Sequence, residues 1–292
     1  MLPPIPVVFF SNQTNREGCT LETISWLSAI LIGLFQGLTE FLPVSSSGHI
    51  MILNEWLDVN LEGGALQLFT ILLHVGTLMA VLIMYRKTII EMIKHPIASD
   101  FKWLVVATIP TVIYALALKV TGIEDTLDAY ARTLLPWMFF VTGIFLFLAD
   151  KFAQYRAAAK STHKSIKFKD ALAMGLMQCI GTFAGVSRSG STITGGLATG
   201  LNRKKVADFS FMMSIPAILG AVLLDILDLE GATVSALTAS IGPVIAGILV
   251  AMISGILAIR FMLYMIRKIR LRVFSVYVGI LGAVILIMDL IK

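Results

Sequence analysis

The hydrophobic positions of this chain fall into long runs separated by short polar stretches. Six runs, at about 66–85, 101–121, 134–149, 207–227, 240–265 and 272–291, read as helices that cross a membrane, whose hydrocarbon core of about 30 Å takes roughly 20 apolar residues. Two further apolar regions are interrupted. One extends over 24–58 and breaks at Leu42-Pro43-Val44-Ser45-Ser46-Ser47-Gly48. The other extends over 170–201 and breaks at Ala184-Gly185-Val186-Ser187-Arg188-Ser189-Gly190. The flanks of each break are too short to cross alone, so each region is expected to form a re-entrant helical hairpin.

The two broken regions repeat one another. A shift of 142 positions places Gly33-Leu34-Phe35-Gln36 on Gly175-Leu176-Met177-Gln178, Phe41 on Phe183, Val44 on Val186, Ser45 on Ser187, Ser47 on Ser189 and Gly48 on Gly190. Beyond the loop, Phe69 falls on Phe211 in the same register. Apolar bias alone would match Leu with Ile, but not Gln, Ser and Gly together, so the pattern is an internal repeat. The first repeat occupies 24–150 and the second 151–292, preceded by an irregular tail over 1–23.

A hairpin returns to its own side and three spans are an odd number, so the two halves must have opposite orientations. Charge gives the same alternation. The segments 86–102, 150–170, 202–205 and 266–273 are rich in Lys and Arg, whereas 54–65, 122–133 and 228–240 are acidic. Basic connections stay in the cytoplasm, which puts both termini and the first hairpin on the outer side and brings the second hairpin in from the cytoplasm. The expected fold is an all-α polytopic membrane protein with an inverted-topology repeat, each half a re-entrant hairpin plus three transmembrane helices.

Composition narrows the class further. Of the 292 residues 57% are hydrophobic and 14% charged, against roughly 25% charged in a soluble domain. The net charge of +5 resides in the connections and forms no basic-aromatic surface, which excludes nucleic acid as a partner. Cys19 and Cys179 are too few for a disulfide framework, and four dispersed histidines support no structural zinc. Met1 to Phe10 contain three prolines and no basic start, unlike a signal peptide. The sequon at Asn12 is a short, unspecific match.

The breaks also hold the chemistry. Irregular backbone at membrane depth must be buried in protein or line a polar cavity. The second helix of each hairpin would start near Ser47-Gly48 or Ser189-Gly190, with its free N–H groups and positive dipole end pointing inward. Two opposed N-termini make an anion site from backbone, and Gly48 and Gly190 permit close approach to a ligand. Arg188 suits a phosphate or carboxylate; Glu40 offers a carboxylate to a metal or a proton; His49 can carry protons. Ser45, Ser46, Ser47, Ser187, Ser189, Ser191 and Thr192 supply hydroxyls. Together these form a phosphoryl-transfer set. Plainer roles stand beside it: Glu40 and Arg188 as a buried structural pair, Ser47 and Ser189 as helix caps, and His74 as a buried hydrogen-bonding side chain inside its span. Gly33/Gly37, Gly181/Gly185 and Gly196/Gly200 read as close-packing pairs.

The stretch from Gln36 to His49, with Glu40-Phe41-Leu42-Pro43-Val44-Ser45-Ser46-Ser47-Gly48-His49 at its centre, resembles the first signature of the bacterial undecaprenyl-diphosphate phosphatases of the bacitracin-resistance type. Gly185-Val186-Ser187-Arg188-Ser189-Gly190-Ser191-Thr192 resembles their second signature, and the segments Phe69 to Thr77 and Phe209 to Pro216 also fit. The resemblance covers about 24–291. Two positions depart from it: Gln36 stands where some members carry a second Glu, and Ala184 where members usually have Pro.

The resemblance implies a bacterial plasma-membrane enzyme that hydrolyses a polyprenyl diphosphate to the monophosphate, recycling the cell-wall carrier lipid. It further implies Ser46 as nucleophile, Glu40 and His49 assisting, and Arg188 holding the phosphate. Ser45, Ser187 and Thr192 would be further phosphate contacts, and Ser47, Gly48, Ser189 and Gly190 are candidate phosphate contacts by their place at the helix N-termini. A divalent cation, Mg²⁺ or Ca²⁺, is implied, with Glu40 as its candidate ligand. The residues leave Ser46 and His49 open as alternative nucleophiles. A second copy of the chain is a candidate partner, and a transporter or lipid flippase of inverted-repeat architecture is the rival function.

Overall fold

The computed structural model describes residues 24–59, 64–227, 240–268 and 270–291. The tail over 1–23, Cys19, the Asn12 sequon, Glu62 and the acidic pair Asp228 and Glu230 lie outside these residues. Ten helices and no strand occur among those described. They are α1 (Trp26–Phe41), α2 (Ser46–Trp56), α3 (Ala65–Lys94), α4 (Phe101–Thr121), α5 (Ile123–Ala158), α6 (Phe168–Ile180), α7 (Arg188–Thr199), α8 (Arg203–Leu227), α9 (Ile241–Lys268) and α10 (Arg272–Ile291). Six of them, α3, α4, α5, α8, α9 and α10, are long and apolar enough to cross a membrane. The chain is therefore a multi-pass membrane protein, and the two interrupted regions form the helix pairs α1–α2 and α6–α7.

The largest difference from the sequence reading lies in 122–133, whose acidic residues mark it as a connection. Residues 123–133 are helix, and α5 runs unbroken for 36 residues. Gly122, in the left-handed region at φ 68°, alone separates α4 from α5. Glu124 and Asp125 sit in the first turn of α5, where the positive end of the dipole favours carboxylates. Charge thus marks where the apolar run ends, not where the helix ends. Likewise α3 continues past its apolar run to Lys94.

The two halves are interlocked. The first helix of each pair packs on the second long helix of the other half: α1 on α9, and α6 on α4. Both contacts depend on a repeat-related glycine. A Cβ on Gly33 would lie 2.3 Å from the Gly247 carbonyl oxygen, and one on Gly175 would lie 2.3 Å from that of Ala107. In the first pair Gly37 follows Gly33 just as Ala251 follows Gly247, so α1 and α9 run in the same direction. Gly175 on Ala107 and Gln178 on Thr111 give the same relation for α6 and α4. The remaining long helices pair like with like, α3 on α8 and α5 on α10.

Divergence shows in one seam. Gly76 lets α3 press on α9, where a Cβ would lie 2.5 Å from the Ile248 carbonyl oxygen. Its counterpart on α8 is the buried Ile218, a bulky side chain where α3 has none. An apolar groove of about 340 Å³ remains between α4 and α8, lined by residues including Leu104, Ile109, Val112 and Pro216.

The α1–α9 seam is testable. Gly33→Val forces a branched side chain onto the α9 backbone and should lower stability by about 1–3 kcal/mol or more, read as a lower unfolding temperature in detergent. Gly279 has no atom within 4 Å of an added Cβ, so Gly279→Ala should stay within about 1 kcal/mol of wild type, on the stabilising side.

Candidate active site

The α5 helix shows how the two breaks meet. Gly48, in the first turn of α2, lies against Phe139, and the far end of α2 reaches Arg132 through Glu55. The second break touches α5 at the same level, with Gly185 beside Leu135 and Met138. From there α7 departs the other way, past Leu146 at Gly190, and Arg156 bonds the Ala198 carbonyl near its end. The N-termini of α2 and α7 therefore converge at one level of α5 while the helices run apart. The first-turn amides of each helix have no helical acceptor, and the two positive dipole ends face one cleft.

Each loop satisfies part of the other's backbone. Gly185 N–H donates to Ser47 Oγ at 3.4 Å, and Ser189 Oγ donates to the Leu42 carbonyl at 3.1 Å. Thr142 of α5 serves the second loop twice, donating to the Gly185 carbonyl and accepting from Ser187 N–H. Gly185 has φ 87°, where a side chain would be strained. In the first loop the corresponding strain falls on Ser45, a non-glycine at φ 70°, a conformation costing of order 1–3 kcal/mol. Its carbonyl accepts from His49 Nδ1 at 2.6 Å, and its hydroxyl accepts from Gly48 N–H at 3.4 Å.

Glu40 is the centre of the cluster. Its Oε1 accepts from Arg188 Nη2 at 2.5 Å; its Oε2 accepts from Ser46 Oγ at 2.6 Å and from Gln36 Nε2 at 3.2 Å. The carboxylate is 5% exposed and Arg188 17%. Ser46 is half-buried and Ser47 exposed, so the hydroxyls beside the carboxylate remain reachable. A hydroxyl hydrogen-bonded to a carboxylate, next to a guanidinium, is a nucleophile–base–anion-holder arrangement.

Not every expected residue faces this cleft. Both ring nitrogens of His49 are engaged away from it, Nδ1 by the Ser45 carbonyl and Nε2 by the Tyr277 hydroxyl at 2.8 Å. Its ring stacks on Tyr277. Ser187 caps α7 through Gly190 N–H, and Thr192 turns to Ser210 of α8 at 2.7 Å. Gly190 packs beside Leu146. His74, expected to be buried, instead has a side chain 32% exposed, with Nε2 3.9 Å from Glu40 Oε2. Sequence reasoning also missed Tyr277 and Thr142. Neither carries a motif, and Tyr277 is separated from His49 by 228 positions.

Residues 29–284 match the family model of the bacitracin resistance protein BacA. The chain belongs to this family. Curated relatives include an undecaprenyl-diphosphatase of Carboxydothermus hydrogenoformans, 39% identical over 261 residues, which span 89% of this chain and 96% of that protein. An undecaprenyl-diphosphatase 3 of Bacillus cereus is 38% identical, covering 91% of this chain and 98% of its own length. One from Methanosphaera stadtmanae is 37% identical with the same coverage. The BacA match takes in α2, α7 and every residue of the Glu40 cluster.

A double substitution separates structural pairing from chemistry in this BacA-family site. Arg188→Ala strands a buried carboxylate and should cost about 3–5 kcal/mol. Glu40→Gln combined with Arg188→Met removes both charges and should recover most of that stability in thermal unfolding, while leaving catalysis absent. Full activity in the double variant would make the pair structural only.

Proposed function

We propose that this protein hydrolyses undecaprenyl diphosphate to undecaprenyl phosphate and inorganic phosphate in a bacterial plasma membrane, which recycles the cell-wall carrier lipid and underlies bacitracin resistance. The observation that carries the reading is the Ser46–Glu40–Arg188 cluster, set where two helix N-termini converge. Family membership and the names of the relatives agree with it. A carrier that only binds and releases an anion has no need of a serine hydroxyl on a carboxylate, which disfavours the transporter reading.

In the proposed reaction the terminal phosphoryl group of the diphosphate enters between α2 and α7. Arg188 and the first-turn amides hold its oxygens, stabilising charge as it develops. Ser46 Oγ attacks phosphorus and its proton passes to Glu40. The Oγ–P bond forms, the bridging P–O bond breaks, and prenyl monophosphate leaves with the electron pair. Water then hydrolyses the phosphoserine, and Glu40 returns its proton to Ser46. His49 is disfavoured as nucleophile because its nitrogens are occupied; its role is to hold the strained Ser45 carbonyl and thereby aim Ser46. The prenyl tail stays in the hydrocarbon along the apolar flanks of the spans.

A divalent cation fits a limited role. The described residues hold no group of three His, Cys, Asp or Glu that could bind one. Glu40 offers one carboxylate, whereas Gln36 is fully buried and turns its Nε2, not its Oε1, to Glu40 Oε2. Mg²⁺ commonly takes one or two protein oxygens plus substrate phosphates, so Glu40 is the residue that would hold a cation arriving with the diphosphate. Such an ion would offset the charge of the diphosphate.

For membrane sidedness, we read the basic ends as cytoplasmic. Lys205 pairs with Asp100, and Arg203 with Asp150, at that same end of the bundle. This reading puts both termini outside.

Detergent-solubilised wild type should release phosphate from undecaprenyl diphosphate, and Ser46→Ala should slow release by about 10³-fold. A trapped phosphoenzyme should map to Ser46. Mapping to His49 would reverse the assignment of the nucleophile, while lipid movement in vesicles without phosphate release would favour the transporter.

A further inference from the structure

The histidine that faces the cleft is His74, not His49. Nδ1 of His74 bonds the Thr70 carbonyl at 2.8 Å, one turn back on α3. A carbonyl only accepts, so Nδ1 carries its hydrogen and the ring is fixed with Nε2 outward. Nε2 stops 3.9 Å from Glu40 Oε2, beyond hydrogen-bond distance. The side chain is the most exposed of the charged and imidazole groups around Glu40, at 32% against 17% for Arg188.

Arg188 approaches Glu40 from α7 and bonds Oε1, whereas His74 approaches from α3 on the Oε2 side, the oxygen that also takes the Ser46 hydroxyl. The two groups thus flank the carboxylate, and a ligand held by Arg188 and Ser46 lies within reach of Nε2. With Nδ1–H committed to Thr70, Nε2 can serve an anion in one form only, as the N–H of an imidazolium. The repeat adds a second, independent point. The residue corresponding to His74 in the second half is Pro216, which has no donor, so the helical position itself does not require a polar side chain.

We propose that His74 is a substrate-contacting residue whose Nε2–H donates to a diphosphate oxygen on the side of Glu40 away from Arg188. The diphosphate is then gripped from both halves, by His74 and Ser46 of the first and Arg188 of the second. This inference rests on the hydrolase reading for its substrate, but the anion contact can be tested without turnover.

The test uses full-length protein in detergent, with folding checked by size exclusion and thermal unfolding, and compares His74→Leu with His74→Gln. Leucine keeps bulk without a donor; glutamine keeps an N–H at similar reach. For undecaprenyl diphosphate, kcat/KM should fall about 10²-fold in His74→Leu and stay within about tenfold of wild type in His74→Gln. Binding of non-hydrolysable imidodiphosphate should weaken about tenfold in His74→Leu. Wild-type affinity and turnover in a folded His74→Leu protein would overturn the proposal, as would a His74→Gln variant no better than His74→Leu in both measurements. A wild type that binds imidodiphosphate but never releases phosphate would sink the hydrolase reading instead, and the binding ratio would still decide the role of His74.

Discussion

Two helix pairs of this bundle break at loops that meet, and the backbone of those loops must find hydrogen-bond partners within the protein. That constraint organises the rest of the structure. The loop after α1 and the loop after α6 answer it mutually, through Gly185 to Ser47 and Ser189 to Leu42, with Thr142 of α5 covering two more groups. The long α5 helix is the wall on which both loops rest, and its 36 residues let it pass the level of the breaks and continue beyond it on both sides.

Meeting in this way also creates the site. Converging helix N-termini are a field of positive sign with amide donors, and the side chains placed there divide the work. The first half contributes a carboxylate and the hydroxyl bound to it; the second contributes the guanidinium that neutralises the carboxylate. A buried ion pair is a weak source of net stability. The accessible Ser46 hydroxyl on the same carboxylate is what makes the Glu40–Arg188 pair a candidate for chemistry as well as a structural bridge. The strained Ser45 backbone has a similar logic: His49 and Tyr277 hold an unfavourable conformation that starts α2 at Ser46.

The repeat is symmetric in its framework and asymmetric in its contents. Gly33 and Gly175 make equivalent contacts with the other half, which keeps the interlocked pairing of α1 with α9 and α6 with α4. Elsewhere the copies have diverged. Gly76 brings α3 onto α9 where the counterpart residue on α8 is Ile218, and His74 lies beside Glu40 where Pro216 stands in the other copy.

The sequence by itself determined the membrane class, the six long apolar helices, the two interrupted regions and their repeat, because hydrophobic run length and residue register are local properties. It also placed Glu40, His49, Arg188 and seven hydroxyls at the breaks, since polar residues between apolar helices have few places to go, while only the family resemblance distinguished Ser46 among the hydroxyls. Tertiary structure alone decided which half packs on which, that 123–133 is helix, and which histidine faces the carboxylate. Those outcomes depend on side-chain direction and on partners far away in the chain: Tyr277 draws His49 aside, and Thr70 turns His74 inward. No spacing along the sequence encodes the direction in which an imidazole points.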